Sequence, residues 1–429
     1  MKKNLFLGLI ALTALTVTGC SKDDVVSESP NINRAIEFGT YVGRDAQSRA
    51  SVLDNLTGTT SLSKQGFGVF AYYTDDVHYN GTAGSGSILN FMNNTKVTSD
   101  DATTWTYSPI KYWPNETKDR LTFFAYAPYD DADTDKSNNI PNTHDNISFN
   151  VVQGDPIIDF VVNSTVKYQQ DLVWSRTNNK DIIKKPNVDV DDKVTFNFAH
   201  ALSRIGFTVK AITDEVTAAV PNKLDNNTFI VLKKVMLSSV AGVGNSEPTT
   251  GVFYTNGKLN LNNQSTAITA APALWTECTG AQTFTLADAN FVEQNVTYPL
   301  GISYPTENGF VLTENTSIIH TIVGNSTMEN QLNAADSFIM VIPQDLSSAG
   351  FYVYVEYDVV TIDESLTNKL SVVTNHISKK VDGLNFESGK AYTLNLQLGM
   401  TSVKVTASVD DWYDVEGKEV DLPINTPEP

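Results

Sequence analysis

The segment Phe351-Tyr352-Val353-Tyr354-Val355-Glu356-Tyr357 decides the fold class, because its β-branched and aromatic residues recur with a period of two. The same alternation recurs in Gly68-Val69-Phe70-Ala71-Tyr72, Thr122-Phe123-Phe124-Ala125-Tyr126 and Val194-Thr195-Phe196-Asn197-Phe198. A period of two places alternate side chains on one face of a strand, and clusters of Asn, Asp, Gly and Thr separate these segments as turns do. Long helical periodicity is nearly absent. The sequence therefore predicts an all-β protein with two sandwiches of half-buried antiparallel strands.

The length of 429 residues exceeds one ordinary hydrophobic core and predicts two domains. The polar stretch 178–192, which contains Pro186, is the expected connection between them. We therefore expect an N-terminal sandwich at 50–190 and a C-terminal sandwich at 191–429. Ala201-Leu202-Ser203-Arg204 is the place where the pattern is least strand-like, and it indicates a bend or a short helical turn.

The N-terminus carries an export signal. Lys2-Lys3, an apolar run from Leu5 to Val17 and the small pair Thr18-Gly19 describe a secretory signal peptide at 1–19, too short to span a bilayer as a helix. Cys20 then follows Val17-Thr18-Gly19 in an arrangement that resembles a bacterial lipobox. The resemblance implies acylation of Cys20, and each buried CH₂ of an acyl chain contributes about 0.8 kcal/mol to membrane anchoring. The alternative is a signal peptide that merely contains a cysteine.

The net charge of −19 argues against nucleic acid or an anionic membrane face as a partner, because both would repel this surface. Cys20 and Cys278 are the two cysteines of the chain, so a lipidated Cys20 leaves no disulfide framework. Cys278 is expected to be a small buried residue. After the signal peptide, no run of about 18 apolar residues follows, so membrane attachment would depend on the lipid alone.

Motifs for chemistry are weak. The five histidines, including His200, have no metal-ligand spacing, and His200 is expected to be a structural residue at a strand end. Asp131, Asp133 and Asp135 match the opening of a calcium loop, but Lys136 stands where glycine is needed, which favours a solvated acidic loop. Catalytic motifs are absent too. We therefore expect no enzyme, no cofactor and no metal.

Four aromatic residues lie close together in the sequence and could form a platform for sugar. Their alternation with small and polar residues favours core and rim packing instead. They are Trp105, Tyr107, Tyr112 and Trp113.

Several phrases in order resemble the fimbrillin superfamily, the lipoprotein pilins of Gram-negative anaerobes known as type V pilins. They are Phe67-Gly68-Val69-Phe70-Ala71-Tyr72, Trp105-Thr106-Tyr107-Ser108-Pro109, Lys111-Tyr112-Trp113-Pro114, Phe123-Phe124-Ala125-Tyr126-Ala127-Pro128, Phe198-Ala199-His200-Ala201-Leu202-Ser203-Arg204-Ile205, Ile342-Pro343-Gln344 and Gly389-Lys390-Ala391-Tyr392-Thr393-Leu394. The resemblance spans most of the chain. It implies two transthyretin-like antiparallel β-sandwich domains in tandem.

The resemblance also implies a way of assembly. A fimbrillin is exported as a lipoprotein to the surface of the outer membrane, and an arginine-specific protease then removes its first strand. A strand donated by another fimbrial subunit fills the groove that opens, and repetition of this step builds a fimbrium for adhesion or biofilm formation.

The removable strand would lie in the segment 20–49. Ile36 and Phe38 alternate on one face, and Tyr41 and Val42 continue the segment. Cleavage between Arg49 and Ala50 is expected, in a polar stretch that a protease could reach. Arg44-Asp45 and Arg34-Ala35 are the competing sites, and a cut after Arg34 would leave the strand in place.

The C-terminus offers two alternating runs. Val403, Val405, Ala407 and Val409 predict the last core strand. The second run, Val420, Leu422 and Ile424, is a candidate donor strand. Pro423 counts against a central strand because proline cannot donate a backbone hydrogen bond, and a frayed tail is the alternative.

Two other functions remain open from the sequence. The first is an anchor or accessory fimbrial lipoprotein that keeps both its lipid and its first strand. The second is a surface glycan-binding lipoprotein.

Overall fold

The computed structural model of the protein describes residues 34–42, 62–81, 88–101, 103–114, 118–130, 147–149, 154–166, 169, 171–175, 179–183, 193–211, 228–262, 273–287, 310–312, 320–321, 339–367 and 369–411. Regular structure in these residues is almost entirely strand. The exception is one four-residue helix, α1 (Leu62–Gln65). The prediction of an all-β protein is therefore confirmed.

The strands are numbered along the chain. The first ten are β1 (Glu37–Val42), β2 (Phe67–Asp75), β3 (Met92–Ser99), β4 (Trp105–Tyr107), β5 (Asp119–Ala127), β6 (Ile147–Phe149), β7 (Ile157–Val161), β8 (Val173–Ser175), β9 (Asn179–Ile183) and β10 (Lys193–His200). The others are β11 (Ser203–Ala211), β12 (Thr228–Ser238), β13 (Asn256–Asn260), β14 (Leu274–Thr279), β15 (Phe284–Ala287), β16 (Phe310–Leu312), β17 (His320–Thr321), β18 (Ile339–Val341), β19 (Gln344–Asp345), β20 (Phe351–Ile362), β21 (Leu370–Val381), β22 (Asn385–Phe386), β23 (Lys390–Leu398) and β24 (Val403–Asp411). The four alternating segments quoted first above fall in β20, β2, β5 and β10, as predicted.

An eight-stranded sheet holds the N-terminal part of the chain. Its order is β1-β10-β8-β5-β2-β3-β4, and β9 pairs with β5. Both faces of its central strands are covered: Phe67 and Val69 of β2 belong to one apolar cluster, whereas Phe70 and Tyr72 belong to another. This explains why β2 is apolar at almost every position rather than at every second one. The cluster that contains Phe67 also contains residues of β1 and is called the N-terminal core below.

The other strands form four further sheets. β17-β11-β23-β24 is joined by β18 on β11, β15-β12-β20-β21 is joined by β16 on β12, β14-β13-β7-β6 has four strands, and β19-β22 has two. Three strand pairs cross position 190: β10 pairs with β1 and with β8, and β13 pairs with β7. Asp155 adds a polar tie beside the β7 to β13 pairing, since its carboxylate accepts hydrogen bonds from Tyr79 Oη at 3.0 Å and from Asn262 Nδ2 at 2.7 Å.

Three local expectations can be compared with the structure. Val403–Asp411 is a strand paired with β23, as expected. The chain bends at Leu202 as expected, but Ser203 and Arg204 of the predicted bend already belong to β11. The stretch 178–192 was expected to connect two domains; it contains β9, which pairs with β5, and Ile182 of β9 packs against the N-terminal core.

The prediction of purely antiparallel strands is also wrong in two places. β1 runs parallel to β10, and β11 runs parallel to β23. Parallel partners require a long connection between them, and both pairs have one, because more than 140 residues separate β1 from β10 and β11 from β23. Short-range alternation carries no information on the direction of such a distant partner.

Candidate functional site

The first strand is held along both of its edges. On one edge β1 runs parallel to β10, with a register that extends from Glu37 opposite Lys193 to Val42 opposite Phe198. On the other edge, the residues just before β1 bond to the segment 111–113. Here the Ile36 N–H donates to the carbonyl of Lys111 at 2.8 Å, and the Trp113 N–H donates to the carbonyl of Arg34 at 3.0 Å.

This position connects the two ends of the eight-stranded sheet. β10 lies next to β1 at one end of the strand order, and the segment 111–113 follows β4, which is the other end. Removing β1 would leave the ladder groups of β10 and the backbone groups of Lys111 and Trp113 without these partners. The site is therefore a slot that accepts one extended segment of backbone.

From Ala35, two residues before β1, to Phe38 the side chains alternate between exposed and buried, so Ile36 and Phe38 share one face as predicted. Ile36 and Phe38 are buried, with 1% and 2% of their surface exposed, whereas Ala35 and Glu37 are exposed. Full burial of one large apolar side chain stabilises a fold by about 1.5–3 kcal/mol. The Glu37 carboxylate lies 3.9 Å from the Lys193 ammonium, but both groups face solvent, so this pair contributes little.

Phe38 sits in a cage of four aromatic rings, which we call the Phe38 cage. The rings belong to four different strands. Their centroids lie 5.1 Å (Tyr107), 5.6 Å (Phe196), 6.1 Å (Phe123) and 6.3 Å (Phe67) from the centroid of Phe38. These separations lie within the range in which aromatic pairs attract beyond their simple burial. Phe38 is thus a central residue of the N-terminal core and not a surface residue of an added strand.

Tyr107 also fastens the backbone of the slot. Its hydroxyl donates a hydrogen bond to the carbonyl of Ile36 at 2.8 Å and accepts one from the Lys111 N–H at 3.3 Å. Burial raises the pKa of this hydroxyl, so it stays protonated and able to donate at neutral pH. One side chain therefore contacts the ring of Phe38, the backbone of residue 36 and the segment 111–113.

The aromatic residues around Tyr107 are core and rim residues, as the sequence predicts. Trp105, Tyr107 and Trp113 are buried, and Tyr112 has 51% of its surface exposed. Trp113 packs against Phe123 with ring centroids 6.0 Å apart. Since three of the four rings are used in packing, these residues do not form an exposed platform for a sugar ring.

Other predicted site residues have different outcomes. The backbones of Tyr41 and Val42 lie in β1, opposite Asn197 and Phe198. The lipidation, cleavage and donor-strand residues lie outside the described part of the chain, and their roles stay predictions. They are Cys20, Arg49, Ala50, Val420, Leu422 and Ile424.

Titratable groups form no candidate metal site in the described residues. These residues contain no group of three or more His, Cys, Asp or Glu side chains that could hold a metal ion, and Asp131, Asp133 and Asp135 lie outside the described part of the chain. His200 lies at the end of β10, and its Nδ1 is 2.7 Å from Oδ2 of Asp171, with both side chains buried. This supports the expected structural role.

Cys278 was expected to be buried but is partly exposed on β14, and partial burial raises the pKa of its thiol.

Sequence reasoning missed a pocket lined by residues of β7, β13 and β14. It has a volume of about 390 Å³ and is lined by Asp159, Phe160, Val161, Asn256, Gly257, Lys258, Glu277 and Thr279. Lys258 and Glu277 form an exposed ion pair there at 2.5 Å. No local signal could reveal it, since β7 and β13 meet only through tertiary pairing.

Within the described residues, no helix has the length and apolar character that a membrane crossing requires.

Comparison with known proteins gives consistent matches over nearly the whole chain. The family model described as "Fimbrillin-like" matches residues 49–412, which leaves β1 and the tail from 413 onward outside the match. The fimbrium subunit Fim1C of Phocaeicola vulgatus is 23% identical over 427 residues, covering 96% of this chain and 98% of that protein. A crystal structure of a fimbrial protein from Bacteroides vulgatus has a similar fold, with a TM-score of 0.61 at 21% identity. That match covers 89% of this chain and 100% of the other.

Proposed function

The chain belongs to the fimbrillin-like family, and from this premise we propose that it is a structural subunit of surface fimbriae that polymerises by exchange of its first strand. The family consists of fimbrial structural proteins and is not an enzyme family. Other fimbrial subunits are the partners that membership implies, and the cell surface is the location that it implies. Adhesion or biofilm formation is the role that such a fibre would serve.

The position of β1 between β10 and the segment 111–113 is the single observation that supports the exchange mechanism. β1 and the residues just before it connect two edges of one sheet through backbone hydrogen bonds, and Ile36 and Phe38 of this segment fill the N-terminal core. An incoming strand could reproduce both kinds of contact. Its backbone would pair with β10 and with residues 111–113, and its alternate side chains would fill the positions of Ile36 and Phe38.

Proteolysis supplies the step that empties the slot. β1 ends at Val42, and six residues separate this end from Arg49. A cut between Arg49 and Ala50 would detach β1 from the rest of the chain without touching β2. Export with acylation at Cys20 would bring the uncut chain to the outer membrane, and an arginine-specific protease would then release it into the fibre.

The donor would come from the end of another subunit. Val420, Leu422 and Ile424 of this chain have the period of two that such a strand needs, and they follow β24, the last strand of the described residues. A head-to-tail contact of this kind does not close on itself and so produces a filament. We further propose a tandem transthyretin-like arrangement with a division near residues 190 and 191, which β10 and the pairing of β7 with β13 cross.

A second candidate follows from the tight packing of β1 in the uncut chain. A subunit that keeps this strand is already complete at this site and cannot accept another strand there. It would serve as an anchor or accessory lipoprotein that ends a fibre at the membrane.

The N-terminus and intact mass of the protein shed with fimbriae test the proposal, beside those of the membrane-bound pool. We expect a shed form that begins at Ala50 and a membrane form that begins at acylated Cys20. Arg49→Lys should keep the protein at the membrane, because an arginine-specific protease does not cut after lysine. Arg44→Lys is the matched control and should shed normally.

Two results would contradict the proposal. If only acylated forms starting at Cys20 exist, the protein is an anchor or a glycan-binding lipoprotein. If the shed form begins at Ala35, the first strand stays in place and no slot opens. A start at Asp45 would keep the mechanism and move the cut to Arg44.

A further inference from the structure

The Phe38 cage indicates which strand the slot accepts. Its four rings are themselves almost fully buried, with exposures of 0% for Phe67, Phe123 and Phe196 and 9% for Tyr107. Each ring belongs to a strand of the eight-stranded sheet. The cage therefore consists of side chains whose backbones are fixed by sheet hydrogen bonds.

The cage is also supported from behind by further rings. Phe67 contacts Trp105 at 5.0 Å between centroids and Phe198 at 5.5 Å, and Phe123 contacts Trp113 at 6.0 Å. Side chains that are held on all sides cannot collapse to fill a space left by a smaller neighbour. An aliphatic side chain at the position of Phe38 would consequently leave part of the cage empty, which is unfavourable.

The neighbouring position has a different requirement. Ile36 is aliphatic and buried, and it lies two residues before Phe38, on the same face of the strand. A strand that runs in the direction of β1 fits if it carries an aliphatic residue and, two positions later, an aromatic one. A strand that runs in the opposite direction needs the same two residues in reverse order.

The tail of this chain lacks that pattern where it is long enough to reach another molecule. The run Val420-Asp421-Leu422-Pro423-Ile424 presents three aliphatic side chains and no aromatic one. Tyr413-Asp414-Val415 has the reverse pattern, but it begins two residues after β24 ends at Asp411. Two residues span at most about 7 Å, which is too short to cross to a second subunit.

We infer that the strand that replaces β1 carries an aromatic side chain in the Phe38 cage, so that the preferred partner at this slot is a different subunit and not a second copy joined through residues 420–424. This inference rests on the proposed strand exchange. Charge does not favour a different subunit over a second copy of this chain. In a bound tail, Asp421 would face outward beside Leu422, just as Glu37 faces outward beside Phe38. The shape of the Phe38 cage is therefore the property that selects the incoming strand.

Peptide binding to the cut protein tests the inference. The full chain is cut with an arginine-specific protease, and a fluorescent peptide of residues 34–43 is added to replace the first strand. Unlabelled peptides of residues 418–427 then compete, either unchanged or carrying Leu422→Phe or Ile424→Phe. The two variants cover the two registers in which a tail that runs in the direction of β1 could place one of these residues in the cage and another at the position of Ile36. Asp421→Phe is the matched control, because it adds a ring on the outward face.

We expect the better of the two inward Phe peptides to compete about tenfold more strongly than the unchanged tail. The added ring would fill the part of the cage that an aliphatic side chain leaves empty. The Asp421→Phe peptide should compete no better than the unchanged tail. The inference is overturned if the unchanged tail competes as well as the inward Phe peptides or as well as residues 34–43. If even the 34–43 peptide fails to enter the cut chain, strand exchange itself is refuted, and this result is distinct from the previous one.

Discussion

Replacing Phe38 by alanine tests whether the first strand is an integral part of the N-terminal core. The side chain is 2% exposed and contacts four rings that belong to four strands. Truncation of a buried Phe to Ala costs about 3–5 kcal/mol when the site cannot collapse. The Phe38 cage is held from behind, so we expect Phe38→Ala to lower the free energy of unfolding of the uncut protein by an amount in this range.

Urea denaturation followed by tryptophan fluorescence measures this loss. Trp105 and Trp113 lie in the same core, with 9% and 7% of their surfaces exposed, and they report on its unfolding. Glu37→Ala is the matched control, because Glu37 is the neighbouring residue on the exposed face. It should leave the urea midpoint within experimental error of the wild type.

The reasoning fails if Phe38→Ala costs less than about 1 kcal/mol, the range of a surface substitution. Such a small loss would mean that the cage is already complete without β1. The strand would then be an accessory segment, and its removal would not create a slot that needs filling. A large loss in Glu37→Ala would refute the assignment of inward and outward faces.

Three further predictions concern stability. Tyr107→Phe removes the hydrogen-bond donor to the carbonyl of Ile36 and should lower the free energy of unfolding by roughly 1–3 kcal/mol, measured by urea denaturation. An unchanged urea midpoint would show that water replaces the hydroxyl. Asp171→Ala removes the buried partner of His200 and should lower the free energy of unfolding by roughly 1.5–3 kcal/mol. Asp363→Ala, in a turn, is the control and should change this free energy little. Equal effects of the two substitutions would exclude a structural role for the His200–Asp171 pair. Stability should also fall above pH 10, because burial raises the pKa of Tyr354 to about 12 and that of Tyr107 above its ordinary value. The unfolded chain loses these protons first, so the stabilisation is complete below pH 10 and is lost as the pH rises towards 12. Urea midpoints between pH 8 and 12 measure this, and a flat profile would contradict it.

The local patterns were a good guide to which residues form strands, but the prediction of half-buried strands was wrong for β2 and β5, which are buried on both faces. The alternation in β2, β5, β10 and β20 predicted their strands, and Ile36 and Phe38 were placed correctly on one inward face. Such predictions succeed because the period of a strand is a property of consecutive residues. The family resemblance rested on several short phrases in order, and comparison with known proteins confirmed the family.

The errors were of another kind. The predicted antiparallel pairing failed for β1 with β10, and the predicted connection at 178–192 contains β9. In both cases the partner strand lies at a distance along the chain that short-range alternation cannot sense. A strand with a suitable pattern pairs with whichever edge the rest of the fold leaves available.

The amino-acid sequence by itself determined the all-β class, the inward faces of the strands and the family, since each follows from side chains close together along the chain. Only the tertiary structure decided that β1 connects two edges of one sheet and that four rings enclose Phe38. It also placed the Tyr107 hydroxyl at the carbonyl of Ile36, 71 residues away in the sequence. The physical reason is that a slot is made of groups from separate strands. Its shape exists only after the sheet has brought those groups within contact distance.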